Sequence, residues 1–229
     1  MKFINPEIVP TADGSESLYL KELDEHYHSH HGALQESVHV YIKSGVEYVL
    51  ANGFTDLKIF ELGLGTCLNA FLTVAYAEQY KVDTTYYSIE KYPVEPSALK
   101  RMNYKQKPEL KPVASLYDAI VDAEWDKEVS VSPNFSLFKC YGDFLTFQAP
   151  MAVFNVLYFD AFGFRAQSEM WSQEVFQKCF DLLVPGGVLV TYASKGLARR
   201  AMEAVGFKVE RIKGAPGKRE MMRAIKLES

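Results

Sequence analysis

A glycine turn between an apolar run and a helix, at residues 58–70, constrains the fold more than any other part of the chain. α/β proteins use this arrangement to bring backbone N–H groups up to an anionic ligand. Glu90 follows 25 residues after Gly65, at the end of a second apolar run. A carboxylate in that position can accept hydrogen bonds from both hydroxyls of a ribose. The sequence therefore predicts an α/β fold that binds a cofactor containing a nucleoside.

The spacing of the glycines distinguishes between cofactors. Dinucleotide-binding proteins usually carry a third glycine three residues after the second, and Leu68 stands there in this chain. Glu61 lies two residues before Gly63, where its charge would repel a pyrophosphate and attract a cationic amino group. S-adenosylmethionine has such an ammonium, so we predict it as the cofactor. An ordinary strand-to-helix turn without a ligand is the alternative.

Composition indicates one enlarged globular domain. The chain has 229 residues, of which 48% are hydrophobic, enough for one sizeable core. It has no apolar run of the roughly 20 residues that a membrane-spanning helix needs, and its start lacks a signal-peptide pattern. We therefore expect a soluble, cytoplasmic protein without a membrane partner. Cys67, Cys140 and Cys179 have no metal-type spacing, which favours reduced thiols.

Apolar and polar runs alternate along most of the chain. Residues 1–33 are polar and rich in turn formers, so we expect a leader outside the sheet, followed by one domain at residues 34–229. The rest predicts a Rossmann-like α/β fold, a mostly parallel seven-stranded sheet with helices on both faces and an antiparallel C-terminal edge pair. The predicted strands are 57–62, 84–89, 135–141, 153–160, 188–192, 207–212 and 221–226, and the predicted helices are 34–51, 68–80, 110–123, 169–183 and 197–205, with a breaker at 185–187.

Polar residues follow several predicted strands, where ligands bind in such sheets. Asp143 is placed to accept the exocyclic amine of an adenine, with Phe144 against the ring; an Asp that caps the next turn is an equally good interpretation. Asp160 ends a central apolar strand. A carboxylate buried there costs free energy unless it is paired or used, so a functional role competes seriously with a structural one.

The C-terminal segment is basic although the whole chain has a net charge of −4. Residues 195–229 contain ten Lys or Arg and four Glu. Such a stripe can follow the phosphates of an RNA, and a merely solvated surface is the alternative. Eight of these ten cations are the candidates for phosphate contacts: Lys195, Arg199, Arg200, Lys208, Arg211, Lys213, Lys218 and Arg219.

The chain resembles class I S-adenosylmethionine-dependent methyltransferases, and more narrowly the MnmD type. That type corresponds to the methyltransferase half of the bifunctional tRNA-modifying protein MnmC. The resemblance covers nearly the whole chain. The matching segments are residues 13–19, 25–29, 61–69, 88–93, 159–162, 169–171, 185–187 and 213–221.

The resemblance implies N-methylation of 5-aminomethyl-(2-thio)uridine at the wobble position of tRNA, with upstream enzymes making the aminomethyl group on the same tRNA. It implies that Asp160 is the catalytic carboxylate and that residues 1–33 form a flap near the active site. The family's Phe-Leu-Asp-Gly-Phe-Ala-Pro segment corresponds here to residues 158–164. These residues read Tyr-Phe-Asp-Ala-Phe-Gly-Phe and lack the proline. The predicted cofactor contacts are Glu61, Gly63, Gly65, Thr66, Asn69, Glu90, Lys91, Asp143, Phe144 and Asp160, and the predicted tRNA contacts are Tyr19, His26, His28, Phe162, Lys195, Arg199, Arg200, Lys218 and Arg219.

Other functions stay open from the sequence. His26 and His30 would share one face of a helix, but nothing completes a metal site, so we predict no metal. An aminopropyl- or methyltransferase that acts on a small amine would work without RNA. A non-catalytic RNA-binding protein of this fold would bind tRNA without methyl transfer. The sequence does not indicate which oligomeric state the protein adopts.

Overall fold

The computed structural model describes residue 1, residues 3–148 and residues 152–227. Residues 149–151 and 228–229 of the predicted 34–229 domain lie outside this part. The leader forms a small antiparallel sheet in the order β1-β2-β3. Its strands are β1 (Glu7–Pro10), β2 (Glu16–Leu20) and β3 (Glu25–His26).

The central sheet has the order β10-β11-β9-β8-β4-β5-β7-β6. The five central strands β9, β8, β4, β5 and β7 run parallel, and β10 and β11 form the predicted antiparallel pair at one edge. The predicted fold class is therefore confirmed. The strands are β4 (Leu57–Leu62), β5 (Thr84–Glu90), β6 (Glu128–Ser132), β7 (Phe135–Tyr141), β8 (Phe154–Phe159), β9 (Leu183–Thr191), β10 (Lys208–Lys213) and β11 (Glu220–Ile225).

The described sheet has eight strands rather than the predicted seven. The additional strand is β6, which pairs antiparallel with β7 at the other edge of the sheet. Its sequence gives a weak signal because two short apolar residues alternate with polar ones and every position is at least partly exposed. The segment 185–187, predicted as a breaker before a strand, lies instead inside β9. There Gly186 has a φ of 78° and donates its N–H to Lys226 O at 2.7 Å.

Helices cover both faces of the sheet. The predicted helix 34–51 is a continuous run in three parts, with a π-helical middle. Gly45 lies in that middle, and a Cβ atom there would be 3.2 Å from Val156 and Val190, so glycine lets the helix lie close to the sheet. The helices are α1 (Ala33–Ser37), the π segment (Val38–Val46), α2 (Glu47–Ala51), α3 (Leu68–Tyr80), α4 (Pro96–Arg101), α5 (Ala114–Asp122), α6 (Gln173–Leu182) and α7 (Gly196–Ala204).

Two predicted helices are longer than the observed ones. Lys111–Val113 form a 3-10 turn before α5, and Ser168–Trp171 form another before α6. Helix α6 begins at Gln173 because the Ser172 hydroxyl accepts the N–H of Val175 as an N-cap. Among the described helices, none has the length and apolar character to cross a membrane. The three cysteines are free thiols.

Strand β8 lies at the centre of the sheet and is buried along its whole length. Tyr158 belongs to the core on one face, with residues of α1 and α3, while Phe159 belongs to the core on the other face, with residues of α6. A parallel strand that is covered on both faces reads as a continuous apolar run. The buried run ends at the next residue, Asp160, which is acidic and partly exposed.

Candidate functional site

A cavity of about 550 Å³ opens at the carboxyl ends of β4, β5 and β8. Strand β4 pairs with β5 on one side and β8 on the other, so the cavity lies at the topological switch point, where α/β sheets bind ligands. Its volume is typical of a small-molecule site. Of the predicted site residues, it is lined by Gly63, Gly65, Thr66, Asn69, Glu90, Lys91, Asp143, Phe144, Asp160, His28 and Phe162.

The glycine turn after β4 brings three parts of the chain together. Gly63 has a φ of 90°, and a Cβ atom on it would be 3.1 Å from Asp160 O. Gly65 has a φ of 51°, and a Cβ atom on it would be 3.0 Å from the ring of Tyr27 in the leader. Both the left-handed backbone and the close neighbours therefore require glycine. Helix α3 begins directly after this turn, at Leu68.

Glu90 lies beside the glycine turn at the end of β5. Its Oε2 accepts the N–H of Gly65 at 3.2 Å, and its Oε1 accepts the N–H of Tyr92 at 2.7 Å. Burial raises the pKa of Glu90, and these backbone hydrogen bonds act against the rise. The carboxylate is thus held in one orientation on the wall of the cavity, and each oxygen retains a lone pair for a further donor.

One amide joins two carboxylates behind the cavity. Asn69 Nδ2 donates to Glu61 Oε1 at 3.0 Å and to Asp160 Oδ2 at 2.9 Å. The other oxygen of Glu61 accepts from Ser88 Oγ at 2.9 Å. Glu61 is fully buried and is not among the residues that line the cavity. The structure therefore differs from the prediction that Glu61 faces a ligand's ammonium: its carboxylate holds the Asn69 side chain.

Asp160 combines burial with access to the cavity. Burial raises the pKa of Asp160 to about 6, against the opposing effects of the Tyr41 hydroxyl and the Asn69 amide. Glu36 adds to the rise, and Lys218 acts against it. The side chain is partly exposed and lines the cavity. Near neutral pH the carboxylate is mostly ionised, and it accepts a proton more readily than an ordinary aspartate.

Asp143 and Phe144, from the loop after β7, also line the cavity. Asp143 Oδ2 accepts from Lys91 Nζ at 2.7 Å, and its Oδ1 accepts the N–H of Leu145 at 2.9 Å. Although burial opposes it, these donors lower the pKa of Asp143. Phe144 is buried and packs on Phe60. An aromatic ring beside a fixed carboxylate is the arrangement expected for a heterocyclic base with an amino group.

The leader covers the cavity. Tyr27 packs edge-on against Phe162 at a centroid distance of 4.9 Å. His28 is buried, its Nδ1 lies 3.1 Å from Ser17 Oγ, and burial lowers its pKa to about 4. His28 is therefore a neutral part of the wall. Tyr27 lies in segment 25–29, one of the segments that resemble the family, but only the fold shows that its ring faces the glycine turn.

Tyr19 and His26, which the sequence predicts as tRNA contacts, do not line the cavity. They are paired across β2 and β3, so they share one face of the small sheet, and Leu18 on the other face is fully buried. The Tyr19 hydroxyl donates to Asp24 Oδ1 at 2.9 Å. Arg165, from the loop after β8, forms an ion pair of 3.1 Å with Glu25 of β3 and so connects that loop to the leader.

The histidine-rich leader does not supply a metal site in the described part of the chain, where no group of three or more His, Cys, Asp or Glu residues is arranged to hold an ion. The idea that His26 and His30 share a helical face is wrong. The segment forms the short strand β3 and a turn instead of a helix.

The predicted basic stripe is divided in the structure. Lys195, Lys218 and Arg219 border a second cavity of about 480 Å³. Arg199 and Arg200 are carried on α7 and do not line it; Arg199 forms an ion pair of 3.0 Å with Glu203. Lys218 Nζ lies 2.6 Å from Glu36 Oε1.

Comparison with known proteins agrees with this geometry. A family model described as S-adenosyl-L-methionine-dependent methyltransferase matches residues 141–227. The bifunctional protein MnmC of tRNA 5-methylaminomethyl-2-thiouridine biosynthesis is 29% identical over 215 residues in Cupriavidus necator, covering 89% of this chain and 32% of that protein. The protein of the same name in Ectopseudomonas mendocina is 32% identical over 210 residues, covering 86% of this chain and 31% of that one.

This chain thus spans about a third of the length of these relatives. Among solved structures, MnmC2 from Aquifex aeolicus superimposes with a TM-score of 0.77 and 22% sequence identity, covering 98% of this chain and 72% of that one. The two chains share a fold over nearly the whole of this chain, including the leader.

Proposed function

We propose that this chain is an S-adenosyl-L-methionine-dependent methyltransferase, in keeping with its similarity to MnmC, and that it adds a methyl group to a primary amine on tRNA. The amine is the 5-aminomethyl group of a wobble (2-thio)uridine, and the product is the 5-methylaminomethyl nucleoside after which the relatives are named. The observation that carries the proposal is Asp160, a cavity-lining acid with a pKa raised to about 6 at the switch point of the sheet.

The cavity fits the cofactor in its chemistry. Glu90, fixed by two backbone N–H groups, would accept the ribose hydroxyls. Phe144 and Asp143 would hold the adenine, and the turn at Gly63 and Gly65, where neighbouring atoms leave little room for a side chain, would hold the amino acid end. When bound, the cofactor supplies an activated methyl group.

Asp160 supplies what the amine needs. A primary alkyl amine has a pKa of about 10, so at neutral pH it arrives protonated and has no lone pair to attack with. The ionised Asp160 attracts the ammonium, accepts its proton and keeps the nitrogen lone pair directed at the methyl group. Positioned proton acceptors of this kind contribute about 10²–10⁴ in rate.

Asn69 and Glu61 act through Asp160. The Asn69 amide donates to Asp160 Oδ2 at 2.9 Å and is itself held by Glu61 Oε1 at 3.0 Å. Burial, with the Asp160 charge, raises the pKa of Glu61 well above its usual range. The pair thereby keeps one Asp160 oxygen in place and leaves the other for the substrate.

The tRNA is proposed from the relatives and from the distribution of charge. The relatives are named for the biosynthesis of a tRNA nucleoside, so the enzymes that make the aminomethyl group would act on the same tRNA. The basic residues Lys195 and Arg219 lie near the loop that follows Asp160. They would supply the salt-sensitive part of RNA binding.

The test is methyl transfer from labelled S-adenosylmethionine to three kinds of acceptor: tRNA from cells blocked at the aminomethyluridine stage, tRNA without that amine, and free spermidine or putrescine. We expect only the aminomethyl tRNA to gain label, and nucleoside mass spectrometry to identify 5-methylaminomethyluridine. Label on a free polyamine would replace the proposal with a small-amine transferase. Binding of tRNA without any transfer would replace it with a binding protein.

A further inference from the structure

The second cavity is separated from the first by the loop that follows β8. It holds about 480 Å³, and its walls include Phe164, Trp171, Tyr192, Lys195, Lys218 and Arg219. The Tyr192 hydroxyl donates to Ala161 O at 2.9 Å, and Trp171 Nε1 donates to Phe162 O at 2.8 Å. Two residues of its wall, Tyr192 and Trp171, therefore hold the backbone that directly follows Asp160.

An aromatic surface faces this cavity. Phe164 stacks on Trp171 with a centroid distance of 4.8 Å and an interplanar angle of 20°. The Lys195 ammonium lies over the Phe164 ring at 4.8 Å from its centre, and the Lys218 ammonium lies over Tyr192 at 4.1 Å. Phe164 and Tyr192 are only partly buried. Trp171 is 4% exposed and serves as the support of Phe164.

The charge around the cavity is positive. Lys218 is neutralised by Glu36, at 2.6 Å, and Glu220 lies 3.7 Å from Arg211. None of the ion pairs among the described residues uses Lys195 or Arg219. Two cations beside an aromatic surface are thus left for an anionic ligand in a chain whose net charge is −4.

We propose that the second cavity binds a nucleotide adjacent to the target uridine, with its base against Phe164 and its phosphate between Lys195 and Arg219. This inference rests on the proposed function, because it requires an RNA substrate. Aromatic rings take bases of any sequence, and cations take the backbone phosphates that join them. The target uridine occupies the first cavity, so its neighbour is displaced to the other side of the loop after Asp160.

The test measures binding of an unmodified anticodon stem-loop RNA, so it does not depend on methyl transfer. Phe164→Leu retains apolar volume and removes the ring, and we expect a rise in Kd of about tenfold with an unchanged salt dependence. The double variant Lys195→Ala, Arg219→Ala should weaken binding at low salt and reduce the slope of log K against log salt by about 1 for each phosphate that the protein no longer neutralises. Lys127→Ala is the matched control, an exposed lysine next to β6 at the far edge of the sheet.

The outcomes separate this inference from the proposed function. If Phe164→Leu and the double variant bind the RNA as the wild type does, or if the wild type itself has no affinity for it, the second cavity is not a nucleotide site. If the variants lose affinity as expected while the wild type fails to methylate aminomethyl tRNA, the nucleotide site stands and the proposed reaction is wrong. Circular dichroism melting of each variant establishes that weaker binding does not come from unfolding.

Discussion

Replacing Asp160 with asparagine should abolish most activity and at the same time stabilise the fold. Asparagine has nearly the same volume and can still accept the hydrogen bond from Asn69 Nδ2, which is 2.9 Å long in the wild type. It cannot accept the substrate's proton or balance its ammonium. We therefore expect methyl transfer to fall at least ~100-fold, the lower end of general-base effects, with cofactor affinity little changed.

The gain in stability follows from the pKa of Asp160. Burial raises that pKa from 3.8 to about 6, which at about 1.4 kcal/mol per pKa unit corresponds to about 3 kcal/mol. Because the side chain is partly exposed to the cavity, solvent screening reduces the penalty to roughly 1–3 kcal/mol. An acid whose pKa is raised by folding destabilises the native state as pH rises from its unfolded pKa to its folded pKa. The penalty is therefore absent near pH 4 and complete above pH 6.

The assay is chemical denaturation of the wild type and Asp160→Asn between pH 4 and pH 8. The difference in unfolding free energy should be near zero at about pH 4 and should reach roughly 1–3 kcal/mol in favour of the variant above about pH 6. A variant that is no more stable than the wild type at neutral pH would refute the reasoning from burial. A variant that is stabilised and fully active would leave the burial argument intact and refute the role of Asp160 in proton transfer.

Three further predictions concern the cavity. Glu90→Ala should weaken S-adenosylmethionine binding in calorimetric titration by roughly 1.5–3 kcal/mol, the scale of a charged hydrogen bond, and an unchanged Kd in a folded variant would remove Glu90 from the site. Single-turnover methyl transfer by the wild type should rise about tenfold per pH unit below pH 6 and level off above it, because Asp160 must be ionised; a profile flat from pH 5 to pH 8 would contradict this. Tyr27→Ala removes the ring that covers Gly65 and should weaken cofactor binding about three- to tenfold. Tyr19→Ala, outside the cavity, should leave cofactor binding unchanged. If both variants change the cofactor Kd equally, Tyr27 does not act as a wall of the cofactor site.

The positions at the ends of strands could be predicted from the sequence. Glu90, Asp143 and Asp160 each follow an apolar run, and parallel strands place their carboxyl ends at one edge of the sheet. All three side chains line the cavity. Sequence reasoning succeeds here because the periodicity that defines a strand also defines where it ends.

Glu61 shows where this reasoning fails. It belongs to β4 itself, and its burial directs its carboxylate to Asn69 and Ser88 rather than to the ligand. The sequence could not reveal this. Strand boundaries are uncertain by one or two residues, and such a shift decides whether a side chain lies at the strand end or inside the strand. The acid is still essential to the geometry because it fixes the amide that contacts Asp160.

The leader could not be predicted in the same way. Its strands are two to five residues long and form only by pairing with each other, so no long periodic pattern marks them. Its polar composition predicted only a leader outside the central sheet, yet Ser15, Ser17 and His28 are buried and hydrogen-bonded. Polar residues that satisfy one another in a covered site look the same in sequence as polar residues in solvent.

The loop after β8 connects all the parts of the proposed mechanism. Asp160 begins it, Phe162 contacts Tyr27 of the leader, and Arg165 forms an ion pair with Glu25 of the same leader at 3.1 Å. Its other side forms a wall of the second cavity, where Phe164 lies. The leader that covers the cavity, the proposed catalytic acid and the proposed nucleotide site are therefore attached to one short segment. A ligand on either side of this segment acts on a backbone that also positions Asp160, so we expect RNA binding and proton transfer to be coupled through the same few residues.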